Sequence, residues 1–156
     1  MKILDFLNEK AIAANLKSQD KKGVIQELTD LLIKAGDLKP RTRDAVVKTL
    51  LNRETLGSTG IGQGVAIPHG KCEHVTELKG VFGVSKKGID FDSLDGEQAY
   101  IFFLLLAPME SSGPHLKALA RISKLLKDKY FRDSLKKAEN EKSLLKIIKE
   151  EDQRRS

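Results

Sequence analysis

The sequence predicts an α/β fold of the sandwich type, in which a mostly buried sheet lies between layers of helices. Segments with the apolar spacing of helices alternate along the chain with short segments typical of strands. The apolar run at 99–107 is bounded by turn residues, as expected of a strand buried on both faces. The length of 156 residues suits one domain, which we predict to span residues 1–150, with a frayed tail at 151–156.

The first predicted helix follows a short extended segment at residues 11–16. Ser18 and Asp20 are suitable N-cap residues, because their side chains can accept hydrogen bonds from the free amides of the first turn. Apolar residues then recur at helical spacing over residues 24–35, and Gly36 ends the helix.

The second predicted helix leads into a glycine-rich loop. Pro40 suits the first turn of this helix, which is expected to end near residues 53–55. Residues 57–64 are predicted to form the loop. Residues 65–67 are predicted to form a short strand, which Pro68 prevents from continuing in a simple way.

Turn signals divide the central part of the chain into further strands. Residues 81–84 are predicted to form a strand, and the pair Lys87-Gly88 a turn. Residues 89–91 alternate apolar and acidic side chains, as in a half-exposed strand. The pair Asp95-Gly96 marks a second turn before the run at 99–107.

The C-terminal third of the chain is predicted to be helical. Residues 112–114 open a helix that carries His115 in its first turn and apolar residues on the same face. Two further helices are predicted at residues 130–138 and 141–150.

The net charge of +6 comes from the C-terminal part of the chain. Residues 1–116 carry 15 basic and 15 acidic side chains, whereas residues 117–156 carry 13 basic and 7 acidic ones. The basic residues are mixed with acidic ones in helical sequence, with few aromatic residues between them. This pattern favours a solvated helical surface over a nucleic-acid site. An acidic protein partner could still use this surface.

The chain carries no signal for export or for a membrane. Its single cysteine, Cys72, excludes an internal disulfide and fits a reducing compartment. The N-terminus lacks the apolar run of a signal peptide. The longest apolar run is too short to cross a bilayer as a helix. We therefore expect a cytoplasmic protein without direct membrane insertion.

His69 is the first candidate for chemistry. A neutral imidazole is a nucleophile at pH 7, and its ring nitrogen can attack a phosphoryl donor and hold the group as a labile phosphoramidate. Pro68 restricts Ile67 to extended geometry and can thereby fix the direction in which His69 projects. The alternative is a structural histidine at the end of a strand.

The loop before His69 offers hydrogen-bond donors for an anion. Gly60, Gly62 and Gly64 have no Cβ, so their amides can approach a phosphoryl group closely. Ser58 and Thr59 add hydroxyl groups. The glycine pattern matches neither a Walker loop nor a dinucleotide-binding fingerprint.

Two further residues could assist His69. His115 lies in the first turn of a predicted helix, where the positive end of the helix dipole disfavours the imidazolium form. A neutral ring could orient His69 or hold a phosphoryl oxygen, although packing against Leu119 remains the alternative. The guanidinium group of Arg53 matches phosphate oxygens, but position alone favours a surface arginine at the end of a helix. Glu54 is interpreted as a solvated partner of Arg53 or of a nearby lysine.

A metal site is a weaker hypothesis. His69, Cys72 and His74 are close in sequence, but a fourth ligand is missing unless His115 joins them. We expect no metal and no cofactor, with Cys72 as an ordinary thiol and His74 on the surface. An enzyme that binds a nucleotide or a metal stays as a distant alternative.

The residues around these candidates match a known family. Residues 53–70 read Arg-Glu-Thr-Leu-Gly-Ser-Thr-Gly-Ile-Gly-Gln-Gly-Val-Ala-Ile-Pro-His-Gly. This stretch resembles the signature of the type-2 (fructose/mannitol) IIA domains of the bacterial phosphoenolpyruvate:sugar phosphotransferase system, including the nitrogen-related IIA proteins. The segment at 113–120 and the end of the apolar strand at 106–108 are also similar to that family, so the resemblance covers roughly the whole chain.

This resemblance implies a fold and a site. The implied fold is a three-layer sandwich, with a mixed sheet of about five strands and helices on both faces. The resemblance implies that His69 accepts a phosphoryl group from the phosphocarrier HPr or a relative, and that His115 and Arg53 assist there. The phosphate-binding roles of Ser58, Thr59 and the loop glycines are added on physical grounds.

Two functions are compatible with such a phosphohistidine carrier. The chain looks most like the nitrogen-related branch, which implies binding of a regulatory target protein according to the phosphorylation state of His69. The alternative is sugar transport, in which the phosphoryl group passes to a IIB domain of a fructose/mannitol-type permease. Neither output involves nucleic acid.

Overall fold

The computed structural model describes residues 1–155, which form six strands and five α-helices. The strands are β1 (Leu7–Ala13), β2 (Gly60–Gly62), β3 (Val65–Ala66), β4 (His69–Lys71), β5 (Lys79–Ile89) and β6 (Ala99–Ala107). The helices are α1 (Lys21–Lys34), α2 (Arg43–Thr55), α3 (Ser112–Leu126), α4 (Lys129–Lys137) and α5 (Glu141–Arg154). Single 3-10 turns at Ile3–Asp5 and Pro40–Thr42 precede β1 and α2.

The strands form one mixed sheet in the order β1-β5-β6-β3-β2, with β4 also paired to β6. The central strands β5 and β6 are antiparallel, whereas β1 runs parallel to β5. Both β3 and β4 run parallel to β6, one after the other along the same edge of that strand. The predicted α/β fold with a mixed sheet is confirmed, with six strands where about five were expected.

Strand β6 separates two apolar layers, because alternate side chains of a strand point to opposite faces of the sheet. Its odd-numbered residues from 101 to 105 pack with apolar residues of α3, α4 and α5. Its even-numbered residues from 102 to 106 pack with apolar residues of α1 and α2. The prediction of a strand that is buried on both faces at 99–107 is therefore confirmed, and helices cover both faces of the sheet.

The first two helices begin as local sequence signals indicate. The carboxylate of Asp20 caps α1 by accepting a hydrogen bond from the amide of Gly23 at 2.7 Å. Ser18, the other candidate cap, instead donates its hydroxyl to the Glu27 carboxylate at 2.7 Å. The chain leaves α1 through Gly36 at φ +86°, a left-handed conformation that glycine adopts without strain.

Two turn predictions are wrong in part. The predicted loop at 57–64 contains the short strand β2, which forms a hairpin with β3. The predicted turn at Lys87-Gly88 lies inside β5, because Gly88 adopts a φ of +84° and the chain shifts its register against β6 instead of reversing. The turn predicted at Asp95-Gly96 is present, with the Gly96 amide bonded to the carbonyl of Ser93 at 2.9 Å.

The predicted fraying of residues 151–156 is contradicted for the part of the tail that the structure describes. Residues 151–154 continue α5, and Asp152 is buried with 2% exposure. Its carboxylate accepts hydrogen bonds from the amides of Ile3 and Leu4 and pairs with the Arg121 guanidinium at 2.8 Å. The end of α5 is thus fixed to the N-terminal turn and to α3. Ser156 lies outside the described residues.

None of the helices within residues 1–155 combines the length and the apolar character needed to cross a membrane.

Candidate functional site

The break between β3 and β4 positions His69. Pro68 cannot donate an amide hydrogen to a sheet, but its carbonyl still accepts a hydrogen bond from the amide of Leu105 at 2.9 Å. The chain therefore resumes pairing with β6 at once, and His69 lies opposite Leu105. Gly70 faces α2, with Thr49 and Leu50 next to its α-carbon. By the alternation of a strand, His69 lies on the other face, towards α3.

The imidazole of His69 is held in one orientation. Its Nδ1 lies 2.7 Å from the carbonyl oxygen of Ile67. A carbonyl oxygen can only accept, so Nδ1 carries the hydrogen and Nε2 keeps its lone pair. Burial lowers the pKa of His69, and the positive charge of Arg53 lowers this pKa further. The ring is therefore a neutral, half-buried base with Nε2 available as a nucleophile.

His115 lies against His69. The two ring centroids are 5.5 Å apart, with an angle of 72° between the ring planes. His115 is 8% exposed, and its Nε2 has no hydrogen-bond partner within residues 1–155. Burial lowers the pKa of His115, as do the charges of His69 and Lys71. A buried polar atom without a partner costs stability, so this nitrogen marks a place where a ligand could bind.

Arg53 lies in the last turn of α2, near enough to His69 for its positive charge to lower the pKa of that ring. Its guanidinium donates a hydrogen bond to the carbonyl of Gly57 at 2.9 Å, so the side chain folds back over the start of the loop. This hydrogen bond uses one of the five N–H donors of the guanidinium. Of the three residues predicted to act together, His69 and His115 are in contact, and Arg53 is near enough to act on His69 through its charge.

The hydroxyl groups of Ser58 and Thr59 serve the loop itself. Ser58 donates to the carbonyl of Phe91 at 2.7 Å and accepts from the amide of Gly60 at 2.9 Å. Thr59 donates its hydroxyl to the carboxylate of Glu54, which also accepts from the amide of Thr59 at 3.1 Å. The prediction that these hydroxyls and the Gly60 amide bind phosphate disagrees with these contacts, because each is already used inside the protein.

Glu54 is the residue that the sequence interpretation misjudged most. It is 8% exposed, and besides Thr59 it pairs with the ammonium group of Lys21 at 2.9 Å. The expected solvated partner is therefore a buried anchor. The main-chain carbonyl of the anchored Thr59 accepts a hydrogen bond from the amide of Ile67 at 2.9 Å. Glu54 thus holds the segment whose carbonyl orients the His69 ring.

Gly62 and Gly64 lie away from the site. They form the tip of the β2–β3 hairpin, where Gly62 faces the carboxylate of Asp95 and Gly64 faces the ring of Tyr100. Val65 pairs with Ile101 of β6, whereas His69 pairs with Leu105. Four residues of strand correspond to about 13 Å. The structure therefore contradicts a phosphate-binding role for these two glycines at His69.

Lys71 is a residue near the site that the sequence analysis missed. It follows His69 by two positions in β4 and so lies on the same face of the sheet. Its ammonium group donates a hydrogen bond to the hydroxyl of Ser112 at 2.6 Å, at the first position of α3. The signal was the spacing His-x-Lys, which becomes informative only when residues 69–71 are known to form a strand.

The metal hypothesis finds no support in the geometry. Residues 1–155 contain no group of three or more His, Cys, Asp or Glu side chains placed to bind a metal ion together. Cys72 is buried, which raises the pKa of its thiol. His74 is exposed at the surface, as predicted.

This arrangement can accept a phosphoryl group. A ring with a nucleophilic nitrogen is fixed by a main-chain carbonyl, a second imidazole lies against it, and the positive charge of a guanidinium acts on it. Phosphoryl transfer requires mainly positioning and donors for the oxygens of the transferred group. The first turn of α3 adds the positive end of a helix dipole next to His115.

Comparisons with known proteins agree with this chemistry. Residues 5–151 match the family model described as "Phosphoenolpyruvate-dependent sugar phosphotransferase system, EIIA 2". The chain is 41% identical over 152 residues to the fructose-specific EIIABC component of Bacillus subtilis, covering 97% of this chain but 24% of that protein. It is 40% identical to a nitrogen regulatory protein of Bradyrhizobium diazoefficiens, covering 95% of each chain.

Solved structures extend the comparison to three dimensions. Nitrogen regulatory protein IIA-Ntr of Neisseria meningitidis is 32% identical. The two structures superpose with a TM-score of 0.82, over 92% of this chain and 97% of that one. IIA mannitol of Escherichia coli shares the fold at 22% identity, with a TM-score of 0.74 over 89% of this chain and 96% of that one. The match of the family model over residues 5–151, together with these relatives, shows that the chain belongs to the type-2 EIIA family of the phosphoenolpyruvate-dependent sugar phosphotransferase system.

Proposed function

We propose that this chain is a phosphohistidine carrier, in which Nε2 of His69 accepts a phosphoryl group. The observation that carries the proposal is the fixed ring of His69, with Nδ1 on the Ile67 carbonyl at 2.7 Å. Its edge contact with His115, at 5.5 Å between centroids, places beside the ring a buried nitrogen that has no partner within residues 1–155.

The proposed phosphoryl transfer needs no added base. The lone pair of Nε2 attacks phosphorus, the N–P bond forms, and the bond from phosphorus to the donor breaks with its electron pair left on the donor. Nε2 carries no proton to be removed, and the positive charge that forms on the ring is shared with Nδ1–H, whose hydrogen bond to Ile67 supports it. Arg53 and His115 bind the phosphoryl oxygens.

The donor we propose is a HPr-like phosphocarrier protein acting in the cytoplasm, without a cofactor. We expect purified protein to gain one phosphoryl group when incubated with phosphoenolpyruvate, enzyme I and such a carrier. The product should be labile to acid and stable to base. His69→Ala should take up no phosphate, because it removes the nucleophile.

The matched control is His74→Ala, which removes an exposed histidine from the same part of the chain. This variant should be phosphorylated at the same rate as the wild type. Equal phosphorylation of His69→Ala and the wild type would contradict the proposal.

We propose that the output is regulatory, by phosphorylation-dependent binding of a target protein. The similarity that supports this is the one to the nitrogen regulatory protein of B. diazoefficiens, which extends over 95% of both chains. A phosphoryl group adds about −2 charge, enough to create or disrupt contacts with a partner. Phosphorylated and unphosphorylated wild type used as baits should retain different proteins. Identical sets would contradict the regulatory output.

Sugar transport is the second candidate, supported by the 41% identity to the fructose-specific EIIABC component. In that case the phosphoryl group passes from His69 to a IIB domain. Mixing the phosphorylated chain with a purified fructose-type IIB domain distinguishes the outputs. Rapid transfer to the IIB domain supports transport, whereas a retained phosphoryl group supports regulation.

A further inference from the structure

We propose that Lys71 is a further phosphoryl-binding residue, whose ammonium group moves from the Ser112 hydroxyl to an oxygen of the phosphoryl group on His69. This inference rests on the proposed function of His69. It adds to the site a cation that belongs to neither α2 nor the glycine-rich loop.

The strand geometry places the two side chains together. His69 and Lys71 both belong to β4 and are separated by one residue, so their side chains leave the same face of the sheet about 6.6 Å apart along the strand. Gly70 between them faces α2. The face that carries His69 and Lys71 is the one towards the start of α3.

The present partner of Lys71 shows where its charge lies. The ammonium group contacts the Ser112 hydroxyl at 2.6 Å, at the N-terminal residue of α3. His115 belongs to the same turn and is in edge contact with His69. Lys71 therefore lies beside a space bounded by two imidazole rings and the end of a helix.

That space has the character of an anion site. Nε2 of His115 is unpartnered within residues 1–155, and this side chain is more than nine-tenths buried. Ser111, the N-cap residue of α3, donates its hydroxyl to the Pro108 carbonyl instead of capping the helix amides. The free polar groups here are thus donors or neutral nitrogens, which suit phosphoryl oxygens.

The exchange of partners follows from charge. The bond of Lys71 to Ser112 joins a cation to a neutral hydroxyl, whereas a phosphoryl oxygen carries negative charge and adds a charge–charge attraction to the hydrogen bond. Ser112 is exposed, so water can replace its lost partner at little cost. A phosphoryl group on His69 therefore draws Lys71 away from α3.

The experiment compares two variants that break the same hydrogen bond. Lys71→Met removes the cation, whereas Ser112→Ala removes only its present partner. The quantity to measure is the equilibrium constant for phosphoryl exchange between the carrier donor and His69. This constant depends only on the separate proteins, so a contact of Lys71 with the donor surface would not change it.

We expect Lys71→Met to shift the equilibrium about tenfold towards the donor, the effect of one lost charge-assisted hydrogen bond. Ser112→Ala should leave the constant unchanged or slightly raised. Lys71→Arg should restore most of the wild-type value, because it keeps a cation. Lys146→Met on α5 is the control for a lost lysine at an exposed helical position.

Two results would overturn the inference: an unchanged constant for Lys71→Met, or an equal loss for Ser112→Ala, which would show that Lys71 only tethers α3. Failure of the wild type to accept any phosphoryl group would instead refute the proposed function of His69. Thermal unfolding of each variant identifies a change in the equilibrium constant that comes from misfolding. If Lys71→Met misfolds, the constant measured for Lys71→Arg decides whether the cation is needed.

Discussion

The two ends of the segment at 62–70 serve different purposes. At one end, His69 lies beside His115, and a buried ring nitrogen has no partner within residues 1–155. At the other end, the hairpin tip at 62–64 satisfies its polar groups internally. The amide of Gln63 bonds to the Asp95 carboxylate at 2.9 Å, and the Gly64 carbonyl accepts two amides of β6.

This difference separates the site from the scaffold. Internal hydrogen bonds at the tip fix the hairpin and leave little for a ligand. At the His69 end, the loop polar groups are equally well used, but the imidazoles and Arg53 retain free capacity. The glycine-rich motif thus forms a fixed hairpin at one end and positions the candidate site residues at the other.

The largest effect should come from the anchor of the site loop. Glu54→Ala leaves the amide and hydroxyl of Thr59 without their partner, and it leaves the Lys21 ammonium with only the Asp92 carboxylate at 3.4 Å. We expect a loss of about 3 kcal/mol in the free energy of unfolding, measured by urea denaturation. Glu73→Ala, at an exposed acid in the same half of the chain, is the control. A loss below about 1 kcal/mol would mean that the buried carboxylate does not hold the loop.

The next largest effect should come from His115, whose Nε2 has no hydrogen-bond partner within residues 1–155. His115→Ala should lower the initial rate of phosphorylation about 100-fold, as expected for the loss of one donor that is aimed at the transferred group. Asp95→Ala, which removes the carboxylate that binds the hairpin tip, should leave this rate unchanged. Similar rates for both variants would remove the distinction between the two ends.

A smaller effect is expected at the tip itself. Gly64 has a φ of +78°, so Gly64→Ala should cost about 1–2 kcal/mol of stability. The phosphoryl-exchange equilibrium of His69 should stay at the wild-type value. A shifted equilibrium would show that the tip communicates with the site.

The smallest effect is a pH dependence of stability. The pKa values of His69 and His115 are lowered in the folded protein, mainly by burial. Below about pH 6.5 the unfolded chain therefore binds more protons at these residues. The contribution of these two histidines to the free energy of unfolding is complete above about pH 6.5. It is lost as the pH falls towards their lowered pKa values. Urea denaturation between pH 7.5 and 5.5 should show a smaller decline for a His69→Gln, His115→Gln double variant than for the wild type.

Local patterns were sufficient to predict most elements and to select the candidate site residues. The helix boundaries follow caps and apolar spacing, as at Asp20 and Gly36, and the long buried strand at 99–107 is visible as an apolar run. The family signature directed attention to His69, His115 and Arg53. These features depend on neighbouring residues or on short motifs, which a sequence displays directly.

Contacts between distant residues decided what the sequence did not show. Strand β4 resumes after Pro68 because β6 offers a partner, and the tail of α5 is ordered because Asp152 binds the amides of Ile3 and Leu4. Such partners are separated by tens of residues or more, so no local pattern encodes them.

The sequence by itself determined the family and the α/β layering and singled out the histidine for which we propose the reaction, since these follow from short-range periodicity and a contiguous motif. Only the tertiary structure decided which polar groups are already used and which remain free. It assigned Glu54, Ser58 and Thr59 to the scaffold and brought Lys71 beside the site. The physical reason is that a hydrogen-bonding group is available to a ligand only when the folded chain leaves it without another partner.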